Sequence, residues 1–548
     1  MRRLTSKVRR RIAGDVHRGA KIWPVWLEGR CVVLHTSGSS QLCFPRYLLP
    51  APDGFTSANV QSAFDRDDPE YYLFRNRWGE CLSAVMEGGP SARSAIGMVT
   101  DWIRKPLPKS DPAWEPYSSC ERVANLAVLL SARPECVAYI DEQEVRLFFE
   151  ESLRWINDHL EYYGAKYTNN HILNNARGLV IAGTVLNCMT AVERGLVIFA
   201  QMARALFQNE GFLRERSSHY QVIVTNWLLD TVHFARIAQV TSDAGIRALA
   251  DLETLATRVT YATSLLHAYM GETNTHIGDI SPDVHPHLSL ERLRHLYPSS
   301  LLTWVDPPRG RKDDWVFVSK ANHALVSCVV RQPYPLRYTT HGHSDLGGFV
   351  WSYKGMPILV DAGRSRYTAG PSSLFQVGPR GHNTVLINGL GALAESLFLN
   401  AYWYPEPYSS ASISVCVDSE DGFTLTHRGF ARLKRVGAHV RRIRVEGEHL
   451  AVYDQVEGAG TVVLETFWHF PPHLFPAVSD RSKIAGVGIC VTVASEGDAG
   501  EVPTEEWQSY PFASAYGEER PASMLRLVWS VSLPCLIKTV LRVEPCVA

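Results

Sequence analysis

The hydrophobic repeat changes period once, near Trp304, and that change commits the chain to two unlike halves. From about Glu121 to Met270 apolar residues recur every three and four positions, as they do along one face of a helix. Residues 142–163 show this most clearly, and further helices are expected over 176–189, 192–207, 219–238 and 251–269. Breaks such as Asn209-Glu210-Gly211 separate them, and a stack of antiparallel hairpins is the simplest way to bury their faces. Beyond Trp304 short alternating runs take over, including 315–319, 324–330, 439–445, 450–456 and 462–468. With turn pairs such as Glu446-Gly447 and Glu457-Gly458 between them, these runs predict a large antiparallel sandwich. The stretch 278–308 is rich in Pro, His and Ser and reads as a connection. The expected division is a lead-in over 1–110 packed on the helical domain, a helical domain over 111–303 and a β domain over 304–548.

Charge narrows the partners. The 55 Lys and Arg balance 56 Asp and Glu to a formal net charge of -1, so no global field attracts nucleic acid or an acidic membrane. A polyanionic partner must be met by a local cleft. No run approaches the ~18 apolar residues that a membrane span requires. Eleven cysteines without a CxxC pair fit reduced core thiols better than a disulfide framework. The basic start Met1 to Arg11 is followed by no apolar segment, so a cytoplasmic location is expected, with a periplasmic one left open by other export routes.

Chemistry concentrates in 338–363 and 381–389. His341 and His343 alternate on an expected strand and so share one face. Asp361 and His382 complete a His, Asp, His set of N and O donors that suits Zn²⁺. Taken alone, the two histidines are equally well polar residues at a domain edge. Asn170 suits either a cleft or the cap of a helix starting near Ile172.

Three segments, HGHSDLGGF (341–349), KGMPILVDAG (354–363) and GHNTVLING (381–389), together resemble the C-terminal half of the heparinase II/III family. In the helical half, Trp114-Glu115-Pro116-Tyr117 leading to Arg122, and Asn169-Asn170-His171 followed by Gly178, are similar to the family's first toroid helices and its Asn-His segment. The resemblance spans about 111–468. It implies an α+β multidomain fold, an N-terminal (α/α) incomplete toroid followed by a C-terminal antiparallel β-sandwich. It also implies a lyase that cleaves uronic-acid-containing glycans by β-elimination.

Carried over residue by residue, the resemblance makes Asn170, His171 and His341 catalytic and gives His343, Asp361 and His382 a zinc ion of structural role. Tyr220 is the catalytic tyrosine implied by Glu215-Arg216-Ser217-Ser218-His219-Tyr220-Gln221. Gln221 departs from the family's usual His, which points to a subgroup with a different substrate. The segment 361–382 is also short, yet keeps Arg364, Arg366 and Tyr367, which together with Asn169 are expected to contact substrate.

Eliminating a 4-O-linked sugar from a uronate removes the C5 proton and builds charge beside a carboxylate that is already negative. Asn170 and His171 are suited to relieve it, one such donor being worth ~3–4 kcal/mol of barrier. Tyr220 and His341 are the base and acid. A tyrosine with an ordinary pKa near 10 needs nearby cations to serve as base. Short uronate oligosaccharides are the expected partners, and a homodimer is allowed. Two other readings compete: a zinc-dependent hydrolase, and a non-catalytic glycan-binding protein of a surface-polysaccharide pathway.

Overall fold

The computed structural model describes residues 42–43, 68–133, 140–163, 168–270, 275–284, 286, 310–320, 322–329, 341–392, 413–417, 421–476, 483–486, 489–498 and 500–545. The expected boundary at Trp304 lies outside them.

The helical half contains α1 (Pro69–Arg75), α2 (Gly79–Glu87), α3 (Gly89–Arg104), α4 (Pro116–Ala132), α5 (Glu142–Asp158), α6 (His171–Val185), α7 (Met189–Leu206), α8 (Ser218–Ala238) and α9 (Asp243–Met270). Local chemistry sets their starts. Asp141 and Glu144 close a capping box on α5, and the Ser217 hydroxyl accepts from the Tyr220 N–H to start α8. Neighbouring helices pack as hairpins, α6 on α7 and α8 on α9, with α4 and α8 both against α6. The segment read as a lead-in is helical from Pro69, and its Trp78, Cys81, Val85 and Val99 join the same core as α4 to α8. Its period was hidden because Gly88, Gly89 and Pro90 interrupt it after short helices.

The β half forms two antiparallel sheets. The first runs β1 (Gly310–Lys312), β2 (Trp315–Lys320), β3 (His323–Cys328), β4 (Val350–Tyr353) and β5 (Met356–Leu359), in that order. A helix, α10 (Pro371–Val377), follows. The second sheet contains β6 (Val385–Ile387), β7 (Leu390–Gly391), β8 (Ser414–Cys416), β9 (Gly422–His427), β10 (Val436–Glu446) and β11 (His449–His469). It continues with β12 (Phe475–Pro476), β13 (Lys483–Gly486), β14 (Ile489–Gly497), β15 (Thr504–Phe512) and β16 (Arg520–Pro545). Val318, Trp351 and Ile358 of the first sheet meet Leu425, Ile443, Leu464 and Trp529 of the second in one core.

Two expectations are corrected. His341 and His343 do not lie on a strand: 341–349 is an irregular loop. Its backbone bonds go to a turn, from Gly348 N–H to Asp345, and to the end of α10, from Ser344 N–H to Val377, so no ladder forms. Nor does Glu457-Gly458 turn the chain. β11 runs through it as a bulge whose register shifts between Val456 and Gly460, because Gly458 takes φ 142°.

The halves are not separate bodies. Leu265, Leu266 and Tyr269 of α9 share a core with Trp315, Phe317 and Val326 of the first sheet. Among the described residues no helix is long and apolar enough to cross a membrane.

Candidate active site

The site lies where four segments from both halves meet: the start of α6, the loop before α8, the strip 275–283 and the loop 341–349. Asn170 precedes α6, yet its side chain caps nothing; the Asn169 Oδ1 accepts from the His171 N–H instead, at 3.1 Å. Asn170 turns inward, fully buried. Its Nδ2 donates to Glu215 Oε2 at 2.6 Å and faces His341 Nε2 at 3.1 Å, while its N–H donates to Glu215 Oε1 at 2.8 Å. Glu215 fixes this orientation, since a flipped amide would set Oδ1 against a carboxylate. The Asn170 Oδ1 is buried without a hydrogen-bond partner, a polar group aimed into the site.

Asp279 holds the other side of His341, with Oδ2 at 3.0 Å from Nδ1. An Nδ1–H donated to that carboxylate leaves Nε2 as the lone pair that accepts from Asn170 Nδ2, the tautomer of a general base. The same carboxylate takes His343 Nε2 at 2.8 Å and Arg364 at 2.8 Å through Oδ1. Burial alone would raise the Asp279 pKa, but Arg364, His341 and His343 outweigh it and hold the carboxyl well below the usual range.

Tyr220, one turn into α8, stacks on the His341 ring with centroids 3.6 Å apart and planes 10° from parallel. Its hydroxyl meets that of Tyr367 at 2.7 Å, and Tyr367 donates to the Ile280 carbonyl at 3.1 Å. Burial raises the Tyr220 phenol well above 10, with Asp283 and Asp279 adding to the shift. Burial and the carboxylates prevail over the hydrogen bonds with Tyr367 and Ser281, which lower it.

His171 opens the site to solvent, its side chain 35% exposed, and pairs with Glu161 at 2.8 Å. Burial disfavours its charged form, but Glu161 more than compensates and lifts the pKa to about 9.

His343, Asp361 and His382 are all buried, with potential ligand atoms within 4.8 Å of one another. His343 Nδ1 and His382 Nε2 lack any hydrogen-bond partner, while His382 Nδ1 contacts Asp361 Oδ2 at 2.7 Å. Two bare imidazole nitrogens beside a carboxylate fit a zinc ion, and Asp279 behind His343 is the carboxylate support that ligating histidines ordinarily have. Asn383 braces this region, donating to the Phe349 and Val360 carbonyls and accepting from His469 N–H.

The substrate-contact expectations fare differently. Asn169 is occupied in capping α6, and Arg364, buried, is committed to Asp279, so both support the site from behind. Tyr367 does reach the site, by touching Tyr220; Arg366 is half-buried on the same loop. Gln221 points away from the cleft, accepting from Leu213 N–H and donating to Gly211 O and Thr263, a purely structural set. Asp279, Glu215 and Glu161 were missed. Asp279 lies in the strip read as a connection, and its one sequence signal is the preceding Gly278.

Residues 308–533 match the family model described as heparinase II/III-like, C-terminal. No curated protein matches the chain. The structure is similar to that of heparinase III, with TM-score 0.66 and 14% identity over 91% of this chain and 81% of that one. It is also similar to a second heparinase III gene product (TM-score 0.57, 13% identity, 91% and 87% covered). A mutant heparan sulfate lyase from Pedobacter heparinus gives TM-score 0.56 and 14% identity, with 92% and 86% covered. At such identities the likeness speaks for the fold, a helical toroid followed by a β-sandwich. Residues 308–533 thus carry a heparinase II/III-like C-terminal domain, and both halves share the fold of heparinase III.

Proposed function

We propose that this protein is a polysaccharide lyase that cleaves uronic-acid-containing glycans by β-elimination, with Asn170, His171, Tyr220 and His341 as its working groups. The observation that carries the proposal is the chain Asp279–His341–Asn170–Glu215, which holds His341 Nε2 as an acceptor covered by Asn170 alone, against a stacked, buried phenol.

An arriving uronate carboxylate takes the Asn170 Nδ2 hydrogen bond from His341 and receives charge from His171, which uncovers Nε2. His341 then removes the C5 proton. The electron pair left at C5 forms the C4–C5 double bond, the bond from C4 to the glycosidic oxygen breaks, and the Tyr220 hydroxyl protonates that oxygen. The imidazolium of His341 then gives up its proton and the tyrosinate recovers one, both by exchange with solvent. A phenol held well above its ordinary pKa by burial suits the acid role better than the base role. His343, Asp361 and His382 would hold a Zn²⁺ ion, which when bound would tie the loop 341–349 to the sandwich. The structural relatives, a heparinase III and a heparan sulfate lyase, favour a glycosaminoglycan-like uronate polymer.

Mass spectrometry of products from a panel of uronate glycans tests this. Elimination gives a new end that is one water lighter than the hydrolytic product. Products carrying that water would establish hydrolysis and sink the proposal.

A further inference from the structure

Among the described residues, a buried cluster walls one side of the candidate site. Tyr367, whose hydroxyl touches Tyr220, packs its ring 5.2 Å from Tyr516 and belongs to a buried cluster with Tyr71, Phe74, Ile280 and Ala513. Tyr71 and Phe74 come from α1 in the helical half, and Tyr516 from the sandwich, so the cluster plugs the seam between them. Hydrogen bonds pin it. The Tyr516 hydroxyl accepts from the Tyr367 N–H and donates to Asp68, the cap of α1, at 3.1 Å each; Asp68 also takes the Thr368 hydroxyl at 3.2 Å.

Just beyond α1, Arg77 pairs with both Asp283 and Glu115, and the Tyr117 hydroxyl donates to Asp283 as well. The wall is also the wrong sign for an acidic chain. Glu70, Glu115 and Asp283 surround the guanidinium of Arg77, and burial first, then Asp283, Glu115 and Asp68, lift Glu70 to about 7 against the pull of Arg77. A second uronate would meet carboxylates there, with no unshared cation among these groups. Solvent reaches the described site at His171, whose side chain is 35% exposed.

We infer that the cleft is closed at one end by the α1–Tyr367–Tyr516 plug, so that the protein acts on the ends of uronate chains, releasing one small unit at a time, rather than within them. This rests on the lyase reading of the same site. Moving the plug to admit a through-going chain would expose four aromatic rings and break the Asp68 bonds, so the barrier is part of the folded core.

The test follows product size during the first few per cent of conversion of a long uronate polymer by the full chain. The inference expects the smallest unsaturated product to appear alone beside polymer of nearly unchanged length. A ladder of intermediate oligomers with rapid loss of viscosity would overturn it while leaving the lyase reading intact. If no unsaturated product forms from any polymer, the lyase reading falls, and end-dependence is decided by retention. The same unsulfated hexuronate tetrasaccharide is coupled to beads through its reducing or its non-reducing end. Retention of the protein by one orientation alone upholds a closed cleft; retention by both, or by neither, overturns it.

Discussion

Asn170 and His171 are adjacent in sequence but do different work. Asn170 is fully buried and anchored by Glu215, so Asn170→Ala removes a preorganised donor and should lower kcat about 10²–10³-fold with a smaller change in KM. Initial rates on any accepted glycan check this, and an unchanged kcat would exclude Asn170 from charge relief.

His171 carries a pH signature. Its folded pKa, raised from 6.5 to about 9, means that its contribution to stability is complete below 6.5 and is lost as pH climbs through about 9. With its side chain 35% exposed, solvent screening keeps that contribution small. KM of the wild type should rise above about pH 9 while that of His171→Gln stays flat, and parallel profiles would remove the role. At this scale the resemblance nominated Asn170, His171, Tyr220 and His341, but not the groups that orient them. Glu215, Asp279 and Glu161 are ordinary acidic residues in a chain with 56 of them, and only folding sets them against Asn170, His341 and His171.

Among the elements, the strip 275–283 does most to join the parts. Gly278 takes φ 79°, and a Cβ there would lie 2.6 Å from the Arg216 carbonyl oxygen and 2.7 Å from that of His341. The strip can pass between α8 and the loop 341–349, and deliver the next residue to His341, because that Cβ is missing. Gly278→Ala should cost about 1–3 kcal/mol of stability and lower kcat, since Asp279 moves with it. Chemical denaturation and rates measure both, and an unaltered variant would mean that the strip is loosely held. Helices α5 to α9 were legible because a 3.6-residue period survives on one face. The loop 341–349 was misread as strand because alternation of two histidines also arises where a buried carboxylate, Asp279, gathers them from an irregular backbone.

For the molecule as a whole, the change of period near Trp304 foretold the two halves, but not how they engage. The shared core of α9 with β2 and β3, and the plug built on α1, draw on residues distant in the chain that no local pattern links. The metal set belongs to this scale too. The protein as purified should contain zinc, and His343→Ala should lose it and melt at a lower temperature; elemental analysis and thermal unfolding check this, and zinc retained at the wild-type level would contradict the assignment.

The central claim is elimination by His341 and Tyr220. Ultraviolet absorbance during incubation with a panel of uronate glycans tests it most directly, because the new double bond is conjugated to the carboxylate. The account predicts that absorbance rises with the wild type on at least one glycan and is abolished in folded His341→Ala and Tyr220→Phe. A rise that persists in both variants, or no rise with any uronate glycan, would contradict it.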